Sequence, residues 1–159
     1  MSEAGKAQNF VVRKPEIEEA GAIHDLLSVY ARERLLLPRT MEEIYETLRD
    51  FFVCVLDGRV IGCGALHFWG DLAEVRSLAV AKEFKGQGVG RMIVEALVED
   101  ARRYHVREIF ALTFQPGFFE KMGFKRTDKE RFPHKIWNDC VKCPHFPDCG
   151  EVALMMGLR

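Results

Sequence analysis

The chain carries almost no net charge, −1 at neutral pH from 23 basic and 24 acidic residues. Neither nucleic acid nor an anionic membrane surface therefore has an electrostatic claim on it as a partner. It also has no uninterrupted apolar stretch near the roughly twenty residues that span a bilayer. The opening residues, Met1 to Asn9, are polar and lack the apolar run of an export signal, so a cytoplasmic protein is expected. Cysteine is scarce: there are five, which without an export signal read as reduced thiols or metal ligands rather than a disulfide frame. No repeat, low-complexity tract or Gly/Ser/Pro-rich linker breaks the 159 residues, so a single domain over 1–159 is expected, with a cysteine-containing segment at 133–150.

What is present is an alternation of strand and helix patterns. Phe10 to Arg13 reads as a short strand, and Ile17, Ala20, Ile23, Leu26, Leu27 and Tyr30 are spaced for one buried helix face. After Leu35-Leu36-Leu37-Pro38, Thr40 and Glu43 form a capping box that opens a second helix. Phe51 to Leu56 and Val60 to Phe68 are rich in strand formers, and Asp57-Gly58 between them signals a hairpin. Ala73 to Val80 continues as a strand. A glycine-rich turn and a long amphipathic helix follow, with Ile93, Val94, Leu97, Val98 and Ala101 inward. Glu108 to Thr113 reads as a strand, Pro116 to Met122 as a short helix, Gly123-Phe124 as the lead into another strand, and Val152 to Leu158 as the last strand. A meander that ends around helices argues for a mixed α/β sheet.

The informative segment runs from Glu74 through Val80 to Lys85-Gly86-Gln87-Gly88-Val89-Gly90 and the helix from Arg91. Glycines at 86, 88 and 90 let backbone approach a ligand closely, and the N–H groups opening a helix form an anion nest suited to a pyrophosphate. On its own such a turn is as well explained by a tight connection. The stretch as a whole resembles the GNAT superfamily of N-acetyltransferases, whose acetyl-CoA motif is Arg or Gln, two residues, Gly, one residue, then Gly or Ala. Here Lys85-x-x-Gly88-x-Gly90 stands in that place, with lysine keeping the positive charge.

The resemblance implies one α/β domain with a mixed, mostly antiparallel sheet, splayed beside the strand that ends at Val80. Pantetheine would lie in the gap along the backbone of Leu78, Ala79 and Val80, and the pyrophosphate on the N–H groups from Gln87 to Arg91. A Rossmann reading fits less well, because the turn lacks the full Gly-x-Gly-x-x-Gly spacing and no first strand of a βαβ unit opens the chain. Leu36-Leu37-Pro38-Arg39, Glu74 to Val80, Leu112 to Phe119 and Pro133 to Cys140 are similar to segments of the short, stand-alone bacterial N-acetylglutamate synthases. That likeness implies L-glutamate as the amine acceptor and a place in arginine biosynthesis. Composition and periodicity do not select glutamate. Acetylation of another amine, or an acetyl-CoA-binding module without turnover, stays open, as does a monomer or a homodimer.

Acetyl transfer needs a neutral amine, a polarised thioester carbonyl and a proton for the departing thiolate. Glu74 is the candidate base, on the position where the similar synthases carry a glutamate; the alternative is a solvated strand-edge carboxylate. A backbone N–H near Leu78 would polarise the carbonyl. The superfamily's tyrosine on the short helix is replaced here by Phe118 and Phe119, so the acid is unassigned. An acidic substrate calls for cations, for which Arg39, Arg76 and Lys135 are the candidates, each also explicable as a surface charge. Arg76 shares a strand face with Glu74. Cys140, Cys143 and Cys149, near His134 and His145, have the spacing for zinc, with free thiols the favoured alternative. Cys54 and Cys63 read as small core residues.

Overall fold

The computed structural model describes residues 9–132 and 150–159. Lys135, Cys140, Cys143 and Cys149 lie outside them, so the proposed cysteine cluster and the third cation are not among the described residues. Eleven elements matter: β1 (Val11–Arg13), α1 (Ala20–Arg32), α2 (Met41–Glu46), β2 (Phe51–Leu56), β3 (Arg59–Trp69), β4 (Leu72–Val80), α3 (Val89–Arg103), β5 (Glu108–Thr113), α4 (Pro116–Glu120), β6 (Lys125–Thr127) and β7 (Val152–Gly157). The seven strands form one sheet in the order β1-β2-β3-β4-β5-β7-β6. Every neighbouring pair is antiparallel except β4 and β5.

Local chemistry accounts for the elements. Asp57 and Gly58 both adopt positive φ, 49° and 79°, which a tight hairpin between right-twisted strands requires. The Thr40 hydroxyl accepts from the Glu43 N–H while the Glu43 carboxylate accepts from the Thr40 N–H, closing the capping box of α2. On α1 the spacing buries Ala20, Ile23, Leu27 and Tyr30. On α3 the buried set is Val89, Ile93, Val94, Leu97 and Ala101. Val98, expected inward, sits at the edge of that stripe, one helical step of about 100° beyond Leu97, and is only partly buried.

The helices divide between the two sheet faces. α1 and α2 pack over Val53, Cys63, Ala65 and Ala79, and α3 packs over Ile61, Leu66, Ala73 and Val75. Two glycines let α3 press close. A Cβ on Gly62 would stand 2.9 Å from Ile93 and Val89, and one on Gly64 would stand 2.8 Å from Ile93. Cys54 and Cys63 are fully buried, and burial pushes the Cys63 thiol up to about 12. No helix among the described residues is long and apolar enough to cross a membrane.

Candidate active site

Two irregularities in β4 build the site. The first is a bulge: Ala65 pairs with Arg76 and Cys63 with Ala79, so Ser77 and Leu78 share the position opposite Gly64. Ser77 sits at φ 53°, a left-handed conformation that costs a non-glycine residue about 1 kcal/mol or more. The Cys63 thiol donates to the Ser77 carbonyl at 3.5 Å. The extra residue reverses the side-chain alternation, so that Leu78 packs toward α3 and Ala79 toward α1. The second is a divergence. β4 and β5 pair only from Leu72–Glu108 to Glu74–Phe110, and beyond that point they separate.

The gap between them opens into a cleft of about 570 Å³ whose walls include Leu78, Ala79, Val80, Lys85, Gly86, Gly88, Val89, Gly90 and Arg91. Phe118 and Phe119 form part of the opposite wall, where β5 runs into α4. Gly90 has φ-independent reasons to lack a side chain, since a Cβ there would come within 3.3 Å of the Phe118 ring. Gly86 and Gly88 take φ 80° and 84°, and Gly88 is the N-cap of α3. This helix start has no side-chain cap and no acidic residue in its first turn, in contrast to α2. Its N–H groups and dipole are thus directed at the cleft, and the arrangement can hold an anion such as a pyrophosphate. Gln87 turns outward instead, toward the Glu83 carbonyl at 3.5 Å.

Tyr30 is a part of the cleft that sequence reasoning treated only as helix core. Its hydroxyl donates to the Val80 carbonyl at 2.5 Å, and Lys85 lies 5.2 Å from its ring centre. Lys82, paired with Glu33, lies 5.7 Å from the same ring. Burial raises the Tyr30 phenol above its ordinary range, with Lys82 opposing that effect. The residue ties the end of α1 to the end of β4 and to a cation of the glycine-rich turn. The one sequence signal was its place as the last apolar residue of the α1 stripe. Tyr30→Phe should raise the Michaelis constant for acetyl-CoA roughly threefold to tenfold, the value of one hydrogen bond, with little change in kcat. An unchanged constant in steady-state kinetics would reduce Tyr30 to core filling.

Glu74 is not a solvated edge carboxylate. It lies on an interior strand, 2% exposed, with its side chain on the face opposite α3. The Trp69 indole N–H donates to its Oε1 at 2.9 Å, and the Arg76 Nε stands 3.6 Å from the same oxygen. Arg76 is itself 12% exposed, so the two charges meet with little water between them. The structure thus brings Glu74 and Arg76 together at the point where β4 leaves β5. Arg39 is half-buried in the connection between α1 and α2, whose Leu35 and Leu36 line the cleft. Among the described residues no cluster of three His, Cys, Asp or Glu side chains could hold a metal ion.

The model of the acetyltransferase (GNAT) family matches residues 21–124. The chain belongs to that family. It is an acetyl-CoA-dependent N-acetyltransferase with acetyl-CoA as its cosubstrate. It is 44% identical over 153 residues to an uncharacterized N-acetyltransferase of Chlorobaculum tepidum, covering 96% of this chain and 99% of the relative. To an amino-acid acetyltransferase of Mycobacterium tuberculosis it is 38% identical, over 83% of this chain and 78% of that one. A Mycobacterium tuberculosis structure in complex with CoA and NLQ superposes with a TM-score of 0.81 at 31% identity, covering 94% and 99% of the two chains. The N-acetylglutamate synthase of Neisseria gonorrhoeae, complexed with coenzyme A and N-acetyl-glutamate, shares the fold at a TM-score of 0.85. At 22% identity, 97% of this acetyltransferase matches 36% of that longer chain.

Proposed function

We propose that this acetyltransferase acetylates the α-amine of L-glutamate, which would set it in arginine biosynthesis in the cytoplasm. The observation that carries the reading is the buried Glu74–Arg76 pair beside the divergence of β4 and β5. It offers a proton acceptor and a carboxylate-binding cation at one point. The amino-acid acetyltransferase relative and the synthase solved with N-acetyl-glutamate support the same acceptor.

In this reading the pyrophosphate of acetyl-CoA sits on the N–H groups from Gln87 to Arg91, with Lys85 supplying charge, and pantetheine follows the backbone of Leu78, Ala79 and Val80. Glu74 removes a proton from the substrate ammonium, directly or through water, since an α-amine is largely protonated at neutral pH. The amine lone pair attacks the thioester carbonyl, whose oxygen takes up negative charge against a backbone N–H near Leu78. After attack the nitrogen is cationic and gives its second proton to water. Collapse of the tetrahedral intermediate then breaks the C–S bond, and the thiolate, from a thiol with a reference pKa of ~8.5, leaves and takes a proton from water. Arg76, Arg39 and Lys135 receive the substrate carboxylates.

Screening the twenty amino acids for thiol release from acetyl-CoA tests the acceptor. Glutamate should give the highest kcat/KM, and Arg76→Ala should raise its Michaelis constant far more than that of an amine without carboxylates. Faster turnover of a neutral amino acid or a polyamine would reject glutamate. An equal loss for all acceptors in Arg76→Ala would reduce the arginine to a support of the fold.

A further inference from the structure

We propose that Trp69 is a positioning residue for acetyl transfer, its indole N–H fixing the orientation of the Glu74 carboxylate. The inference rests on Glu74 being the base. Trp69 ends β3 and pairs across the strands with Leu72, the first residue of β4. The intervening Gly70 takes φ 61°, closing a turn tight enough to return the chain at once. Alternation then sets His67 and Trp69 on the same face as Leu72, Glu74 and Arg76. The result is a contact of 2.9 Å between Trp69 Nε1 and Glu74 Oε1, made diagonally across the hairpin.

An indole N–H can only donate and a carboxylate oxygen accepts, so the contact favours one orientation of the side chain. The donor is itself anchored. Its side chain packs against the buried cluster of Phe110, Phe132, Ala153 and Met155, and its ring meets the His67 ring at a centroid distance of 4.6 Å. A glutamate has three side-chain torsions, and a base that swings through several rotamers is seldom within reach of the amine proton. Trp69 removes that freedom without touching the reacting atoms. Arg76, at 3.6 Å from the same oxygen, adds charge but less directional restraint.

The test is a double-mutant cycle of Trp69→Phe and Glu74→Gln, read as kcat and as the Michaelis constant for acetyl-CoA. Phenylalanine keeps an aromatic ring in the apolar cluster and deletes the donor. Trp69→Phe should lower kcat about tenfold with the acetyl-CoA constant unchanged, the size expected for a hydrogen bond to a charged group. In the Glu74→Gln background the same change should alter kcat by less than about twofold, because only an ionised base profits from being held. A packing role would give equal losses in both backgrounds. Equal losses, no loss in either, or a rise in the acetyl-CoA constant in step with the fall in kcat would overturn the proposal. If Trp69→Phe does not fold, benzothienylalanine at position 69 keeps the ring shape without the N–H, and the same criteria apply. Wild-type turnover in Glu74→Gln alone would overturn the base reading and this inference together; an impaired Glu74→Gln with additive Trp69→Phe would overturn only the role of Trp69.

Discussion

Glu74→Gln should lower kcat by about 10²–10⁴-fold while acetyl-CoA affinity stays near wild type. Glutamine keeps the shape and can still accept from the Trp69 indole, but it cannot carry away an ammonium proton. The cleft proposed to take the cosubstrate is lined by the end of β4, the glycine-rich turn, the start of α3 and the β5–α4 connection, and Glu74 is not among its walls. Binding and turnover should therefore part company. The deficit should shrink as pH rises, because a growing share of the substrate amine is already neutral and needs no base. Some loss of thermal stability is expected as well, since Arg76 keeps its charge at 12% exposure while the carboxylate 3.6 Å away is gone. Full activity across the pH range would end the base assignment and leave water to take the proton.

Gly88→Glu should abolish measurable acetyl-CoA binding without unfolding the protein. A Cβ at Gly88 meets no heavy atom within 4 Å, so the backbone leaves room for a side chain to start, and the positive φ costs roughly 1–2 kcal/mol. A carboxylate at the N-terminus of α3 even favours the helix dipole, offsetting part of that strain. The same carboxylate occupies the ground a pyrophosphate needs and repels it. Like charges brought together cost several kcal/mol, which is about 10²-fold or more in affinity. Gly88→Ala carries the same backbone strain without charge and should bind far better than Gly88→Glu. Calorimetry finding unchanged affinity in folded Gly88→Glu would remove the phosphate nest from this turn.

Elements whose signal is local were legible in the sequence. The Asp57-Gly58 hairpin, the Thr40–Glu43 capping box and, Val98 apart, the α3 stripe each rest on residues within a few positions of one another, and each forms as expected. The splay beside Val80 came from resemblance, since no residue in β4 announces that its partner departs after Glu74. The bulge at Ser77 left no mark either. Serine is an ordinary strand residue, and the cause lies across the ladder, where Gly64 makes room and Cys63 supplies a donor. Glu74 was singled out, but its place on an interior strand depends on β5 pairing along the far edge of β4, a long-range arrangement. Trp69 and Tyr30 were overlooked for one reason. A large aromatic at the end of an apolar pattern looks like core, and only its polar tip, aimed at Glu74 Oε1 or the Val80 carbonyl, gives it further meaning.

The short pairing of β4 with β5 makes the sheet two half-sheets stitched by a three-residue seam, with a four-stranded meander on one side and β5, β7 and β6 on the other. Past the seam each half presents an inner hem of backbone groups to the cleft. Outer edges of sheets are places where stray strands add on and chains aggregate; an inner hem is shielded by its opposite number and admits only something about as thin as one strand. A pantetheine arm has amides spaced along a narrow chain, so it can lie there as an eighth, borrowed strand. The molecule would then be most completely a single sheet only while its donor is bound. Amide exchange along Val75 to Val80 and Ala111 to Thr113 should slow together when acetyl-CoA enters, as two loose margins are sewn into one fabric.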